Sequence, residues 1–217
     1  MVIVGLGGQT KDALTDLVVS YSESDLWFYT DFENDSSLEF FKDHNLNVLV
    51  GKGKLKAHFS KGNNDFIAFI GNNIAREKVV QDLKKIGGNP TCFISQSAHL
   101  NLNYLALNVT NTIVMDNTHL SANVQIGEGS VIYTKTSIAH DSVIGKYVFV
   151  SAYCAISDSV IEDYTFIGLN SMIGPKVHIG KHCVIGANSY VKENVKDGAI
   201  VAGSPAKIIG YKDGFGE

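Results

Sequence analysis

A chain of 217 residues, 45% hydrophobic and 18% charged, with a formal net charge of −4, has the composition of a soluble globular protein of one large or two modest domains. The near-neutral balance and the lack of a basic tract argue against nucleic acid or an anionic membrane as partner, and no apolar run approaches the length of a membrane span. The three scattered cysteines, Cys92, Cys154 and Cys183, show no metal or disulfide spacing, and Met1 to Leu6 is too short and lacks the cationic flank for a signal peptide, so a reducing, cytoplasmic setting is expected.

Residues 1–95 read as alternating strands and helices. Val2-Ile3-Val4 is a buried strand that runs into Gly5-Leu6-Gly7-Gly8-Gln9, and a helical pattern continues through Ala13, Leu14, Leu17 and Val18. Leu26 to Tyr29 is a second strand ending at Thr30-Asp31. Phe66 to Ile70 is a later one ending at Gly71-Asn72-Asn73, with a helix from Ile74 to Ile86 behind it. This alternation predicts a parallel, Rossmann-like sheet, whose ligands bind beyond the carboxyl ends of the strands. The glycine loop, Asp31 and Gly71 all fall at such ends. As a dinucleotide fingerprint the loop is incomplete, because the third glycine of G-x-G-x-x-G falls on Thr10. The segment has room for roughly one mononucleotide-binding half of a doubly wound fold, which suits a nucleotide-linked ligand better than a full NAD.

Gly87-Gly88-Asn89-Pro90 marks a break, Thr91 to Ile94 reads as a strand leading out, and residues 96–112 form a weakly patterned entry to the second half of the chain. From Val114 an aliphatic residue then recurs every sixth position through Leu120, Ile126, Ile132, Ile138, Ile144, Val150 and Ile156. After one step of five the count resumes from Ile161 to Val191. Neither a helix nor an alternating strand has this period; a hexapeptide parallel β-helix does, with one aliphatic side chain entering a narrow axis per short face. Four residues after each aliphatic position the side chain is small or β-branched, as at Thr118, Ser130, Cys154 and Cys183, which suits an interior without room for Leu or Phe. Glycine often comes directly after the aliphatic residue, as at Gly127, Gly145 and Gly168, and is expected to serve turns with unusual backbone angles. The predicted organisation is an α/β N-terminal domain over 1–95, a β-helix over 96–198 and a C-terminal tail over 199–217, loose from Lys212 onward.

The Gly-Gly loop, the run from Asp65 to Asn73 with Arg76, the hexad containing His140-Asp141 and the closing Gly203-Ser204-Pro205-Ala206-Lys207 together resemble the PglD/NeuD-like sugar acyltransferases over nearly the whole chain. The resemblance implies a left-handed β-helix, a homotrimer, acetyl-CoA as co-substrate between neighbouring coils and a nucleotide-linked amino sugar held by the N-terminal domain. Position by position, it implies that Gly7, Gly8 and Gln9 form the sugar-nucleotide loop, that Thr30 and Asp31 contact the nucleotide, and that Gly71 lines the same pocket. It further implies that His140 is the general base, that Asp141 raises its basicity, and that Phe149, Leu169 and Ala187 contact acetyl-CoA. Three positions depart from the family pattern: Gln9 replaces a histidine, Phe149 a polar contact and Tyr133 a small polar residue.

Acyl transfer from a thioester to an amine needs a group that takes the amine proton, a task that suits histidine. A neighbouring carboxylate strengthens such a base, yet adjacent residues on a flat strand point to opposite faces, so Asp141 can serve His140 only if the chain bends there. The expected activity is acetyl-CoA-dependent N-acetylation of the 4-amino group of a nucleotide-linked amino-dideoxy sugar, on a route to surface glycans. The alternatives are O-acetylation of a sialic-acid-like sugar, a metal lyase like the γ-class carbonic anhydrases, and a non-catalytic nucleotide-sugar-binding protein. His178 and His182 invite the metal reading, but the sequence supplies no third ligand at suitable spacing, so no metal is expected.

Overall fold

Three consecutive apolar residues without polar alternation need cover on both faces, and Val2–Val4 (β1) has it as the central strand of a parallel sheet. In chain order, the first ninety residues of the computed structural model contain β1, α1 (Gly8–Asp12), α2 (Leu14–Ser20), β2 (Trp27–Thr30), α3 (Leu38–Asp43), β3 (Asn47–Val50), α4 (Lys52–Phe59), β4 (Asp65–Ala68), α5 (Asn73–Lys85) and β5 (Asn89–Pro90). The structure describes residues 1–101, 106–107 and 111–216. The sheet order is β3-β2-β1-β4-β5, and every neighbouring pair is parallel. Val2, Val4, Phe66 and Ala68 pack with Leu55 of α4, Val80 and Leu83 of α5, and Phe59 in one core cluster; the alternate positions Ile3 and Ile67 are buried as well.

The sheet has five strands, so the expectation of roughly one mononucleotide-binding half is too small. The strands missing from the sequence reading are β3, three of whose four residues are only partly buried, and β5, which is two residues long. The strand order reverses between β1 and β4, which places a crevice at their carboxyl ends. Gly5 makes that crevice possible. Its φ is 94°, and a Cβ there would lie 2.8 Å from the carbonyl oxygen of Phe69.

The chain divides into two units, Met1–Gln96 and Ser97–Glu217. The second is a coil of two-residue strands, each ending on the aliphatic residue of its hexad, such as Ser137–Ile138, Val143–Ile144 and Phe149–Val150. Parallel pairing links residues 18 apart, as in Leu120 with Ile138 and Ile138 with Ile156, so three hexads complete one turn and three flat faces stack along the axis. Face one contains the strands ending at Val114, Ile132, Val150, Ile167 and Ile185. Face two contains those ending at Leu120, Ile138, Ile156, Ile173 and Val191, and face three those ending at Ile126, Ile144, Ile161 and Ile179. The small inward residues are buried, and hydroxyls among them bond to the neighbouring coil: Ser130 donates to the Gly145 carbonyl at 2.7 Å and Thr165 to that of Gly180 at 2.8 Å, whereas the Ser142 hydroxyl is buried without a partner. Of the expected entry segment 96–112, residues 102–105 and 108–110 lie outside the described residues.

The glycines next to the aliphatic residues do not make the turns, contrary to the sequence expectation. Gly127, Gly145 and Gly168 have no positive φ; instead a Cβ on Gly127 would sit 2.7 Å from the backbone of Gly145, and one on Gly168 would sit 2.6 Å from the amide of Ala187. They are glycines because successive coils approach too closely for a methyl group. The left-handed residues stand two places later, at Asn117, Asn123, Lys135, Asp141, Tyr147 and onward. The five-residue step is absorbed at Asp158 (φ 39°), and pairing shortens locally to 17 residues, as in Ile144 with Ile161. Residues 199–211, assigned to the tail by the repeat count, form an antiparallel hairpin of Ala199–Gly203 and Ala206–Tyr211 that pairs with Val184–Ile185.

Candidate active site

Val4 and Thr30, at the carboxyl ends of β1 and β2, border a cleft of about 130 Å³ in the first unit, and Asp31 and Phe32 continue its wall. The hydroxyl of Tyr29 donates to Asp31, and burial together with that bond pushes the Tyr29 phenol far above its ordinary range. Thr30 is buried, and its hydroxyl donates to Asp35 at 2.9 Å. Lys52 from α4 and Val79, Asp82 and Leu83 from α5 complete the lining. The sequence reading missed these four because they sit on separate helices with no motif to join them.

Gly7 and Gly8 are exposed, neither has a positive φ, and a Cβ on either meets no atom within 4 Å. Nothing inside the chain demands glycine there. Thr10, where a third glycine would complete the fingerprint, is fully buried and donates to the Gly5 carbonyl at 2.6 Å, bracing the loop. Gln9 and Gly71 are brought together: a Cβ on Gly71 would lie 3.1 Å from the Gln9 amide nitrogen. The side-chain Oε1 of Gln9 is buried without a hydrogen-bond partner. Arg76, fully buried, donates to the carbonyls of Ile70 at 2.6 Å and Gly71 at 3.4 Å and so fixes the strand end that carries Gly71.

In the second unit His140 and Asp141 occupy the corner between faces two and three. Asp141 has φ 59°, the bend that the pairing requires, and its Oδ2 lies 2.7 Å from His140 Nδ1. Asn123, one coil earlier in the same column, donates to Asp141 Oδ1 at 2.6 Å. That bond, then the one from His140, holds the Asp141 carboxyl below the usual carboxylate range. An ionised carboxylate only accepts, so Nδ1 carries the imidazole hydrogen and Nε2 presents its lone pair. The side chain is 63% exposed, open to a reactant. The spacing of 18 residues is the signal that would have found Asn123 from sequence. Asp158, next in the column after Asp141, pairs with Lys176 at 2.6 Å, and both border a hollow of about 250 Å³ together with Asp141, Ser159, Val160 and His178.

Leu169 and Ala187 stand together on adjacent coils at the corner between faces one and two, both exposed. Phe149 is buried in face one, stacked against Phe166 with ring centroids 5.5 Å apart and near Tyr133 at 6.0 Å. Within one chain, therefore, Leu169 and Ala187 lie at the opposite end of face two from His140. His178 bonds Glu162 at 2.6 Å, whereas His182, at the third corner, stacks against Tyr164 at 4.8 Å. Among the described residues no group of three or more His, Cys, Asp or Glu side chains is placed to hold a metal ion, and no described helix is long and apolar enough to cross a membrane.

Residues 114–212 match the model of the GMPPB C-terminal domain. The chain is 33% identical over 102 residues to the putative acetyltransferase YvoF of Bacillus subtilis, covering 46% of this chain and 55% of that protein. It is 31% identical over 112 residues to a UDP-3-O-acylglucosamine N-acyltransferase of Methylobacterium, covering 46% of this chain and 32% of that protein. The chain thus spans about half the length, or less, of these two relatives. In structure it is similar over 96% of both chains to a variant GDP-perosamine N-acetyl transferase from Caulobacter crescentus in complex with CoA and GDP-perosamine, with a TM-score of 0.83 at 21% identity. It is similar also to the acetyltransferase domain of PglB from Neisseria gonorrhoeae in complex with acetyl coenzyme A, with a TM-score of 0.82 at 21% identity over 96% of this chain and 98% of that one. The fold is that of these acetyltransferases: a Rossmann-like α/β region leading into a left-handed parallel β-helix of hexapeptide repeats.

Proposed function

We propose that the chain is an acetyl-CoA-dependent N-acetyltransferase acting on the 4-amino group of a nucleotide-linked amino-dideoxy sugar. The observation that carries this reading is the His140-Asp141 pair, ordered through Nδ1 and open at Nε2 on the outside of an acyltransferase-type coil. The sugar amine attacks the thioester carbonyl, His140 Nε2 takes the proton that the amine loses, and collapse of the tetrahedral intermediate breaks the carbon–sulfur bond and releases CoA. Asp141 holds the ring in the productive tautomer and stabilises the imidazolium. In the first unit Gly7, Gly8 and Gln9 take the sugar-diphosphate, Thr30 and Asp31 the ribose side, and Gly71 the facing wall.

Leu169, Ala187 and the backbone at Phe149 contact acetyl-CoA. Because Leu169 and Ala187 lie across face two from His140, acetyl-CoA reaches the base of one chain from a second copy, and a homotrimer accommodates this arrangement. The ligands bound to the Caulobacter and Neisseria proteins support acetyl-CoA and a nucleotide sugar as the two substrates. Acetyl-CoA supply sets the cytoplasm as the place of reaction. The reading is tested by incubating the protein with acetyl-CoA and UDP-, dTDP- and GDP-linked 4-amino sugars while monitoring free thiol. Thiol release that requires one of these sugars supports it; release with none of them, alongside turnover of a sugar lacking a nucleotide, contradicts it.

A further inference from the structure

The cleft beyond Asp31 has apolar walls from Val4, Ile70, Val79 and Leu83, with Lys52 and Asp82 among its polar lining residues. Its volume of about 130 Å³ falls well short of the roughly 300–1,000 Å³ of a pocket that engulfs a whole small-molecule ligand, so it admits one flat ring system and not an entire nucleotide sugar. In a sheet of this topology the acidic residue after the second strand faces a ribose, and Asp31 occupies that place. The ring that passes Asp31 into the cleft is then the base. Phe32, 72% exposed beside the cleft, has a free ring face to cover it.

We infer that this cleft is the base slot of the nucleotide site and that Lys52 and Asp82 make it select guanine. The inference rests on the nucleotide-sugar reading proposed for the chain. An ammonium group only donates hydrogen bonds and a carboxylate only accepts them. Asp82 is ionised, because its bond to Lys85, at 2.9 Å through Oδ1, holds the carboxyl below its usual range; Oδ2 has no such partner. Guanine presents the O6 acceptor for Lys52 next to the N1 and N2 donors for Asp82. Adenine presents an amino donor where O6 stands, and uracil and thymine flank their one N–H with carbonyls, so one oxygen meets the carboxylate. A site built on such polar pairs rejects a ligand that leaves them unmatched.

Calorimetric titration of the full chain with GDP, UDP, dTDP and ADP, free of sugar and of CoA, tests the slot separately from the chemistry. GDP is expected to bind about tenfold or more tighter than the other three. Asp82→Asn and Lys52→Met, checked for native circular dichroism, are expected to weaken GDP and bring it to within a few-fold of UDP. A pyrimidine or adenine nucleotide bound as tightly as GDP, or variants that weaken all four alike, overturns the guanine slot and leaves the nucleotide-sugar reading standing. Binding of none of the four overturns both.

Discussion

His140 Nδ1 and Asp141 Oδ2 lie 2.7 Å apart although their residues are adjacent in the chain, a contact that an extended backbone forbids and that the left-handed φ of 59° at Asp141 creates. The same backbone state recurs at each corner of the coil, so the fold supplies the bend and the sequence supplies the two side chains.

Replacing Asp141 by Asn keeps the bend, because asparagine tolerates left-handed backbone, but removes the charge. Both side chains are more than half exposed, so the loss is modest: kcat falls about five- to tenfold. An Asp141→Asn protein with the kcat of the wild type would remove Asp141 from the mechanism.

Two substitutions separate close approach from turn geometry in the coil. Gly168→Ala pushes a methyl group into the backbone at Ala187 and is expected to cost about 1–3 kcal/mol. Lys135→Gly relieves a left-handed residue and loses the exposed bond to the Tyr153 hydroxyl at 3.3 Å and the ammonium's place over the Tyr153 ring, 5.4 Å from its centroid, so stability stays within about 1 kcal/mol. Urea denaturation midpoints measure both, and the reverse order would mean that glycine serves the turn after all.

Arg76→Leu takes the guanidinium donor from the part-buried carbonyl of Ile70 and from that of exposed Gly71, at about 1–3 kcal/mol for the group at Ile70 and less at Gly71, where water takes the donor's place. The expected result is a lower melting temperature together with weaker nucleotide binding, since Gly71 sits on the freed segment. A variant as stable as the parent would show that the guanidinium is not what holds that strand end.

Burial raises the thiol pKa of Cys154 and Cys183, whereas Cys92 is partly exposed. The thiolate is the reactive form, so at pH 8 the native protein is expected to react with a disulfide reagent at Cys92 and at the other two only after unfolding. Mass spectrometry of the labelled peptides reads this directly; rapid labelling of Cys154 in native protein would place that residue outside the coil interior.

The coil was legible because one packing rule repeats in it: Ile138, Ile144 and Val150 enter the same narrow axis at equal intervals, and no other fold keeps that count. The role of Gly127 was not legible, since close approach and positive φ both call for glycine and only coordinates separate them. Val2 to Val4 announced a central strand through unbroken hydrophobicity, while Asn47–Val50 begins with a polar residue and is buried at Leu49 alone. His140 and Asp141 were legible as a candidate pair. Lys52 and Asp82 were not, because two residues 30 positions apart on different helices leave no local pattern.

The most direct test of the account is the rate of acetyl transfer by His140→Ala, measured as CoA release with a nucleotide-linked 4-amino sugar on protein whose circular dichroism matches the wild type. Loss of the base predicts a kcat lower by about 10²–10⁴-fold with KM for both substrates nearly unchanged. A His140→Ala protein that turns over at the wild-type rate would contradict the assignment of the catalytic corner.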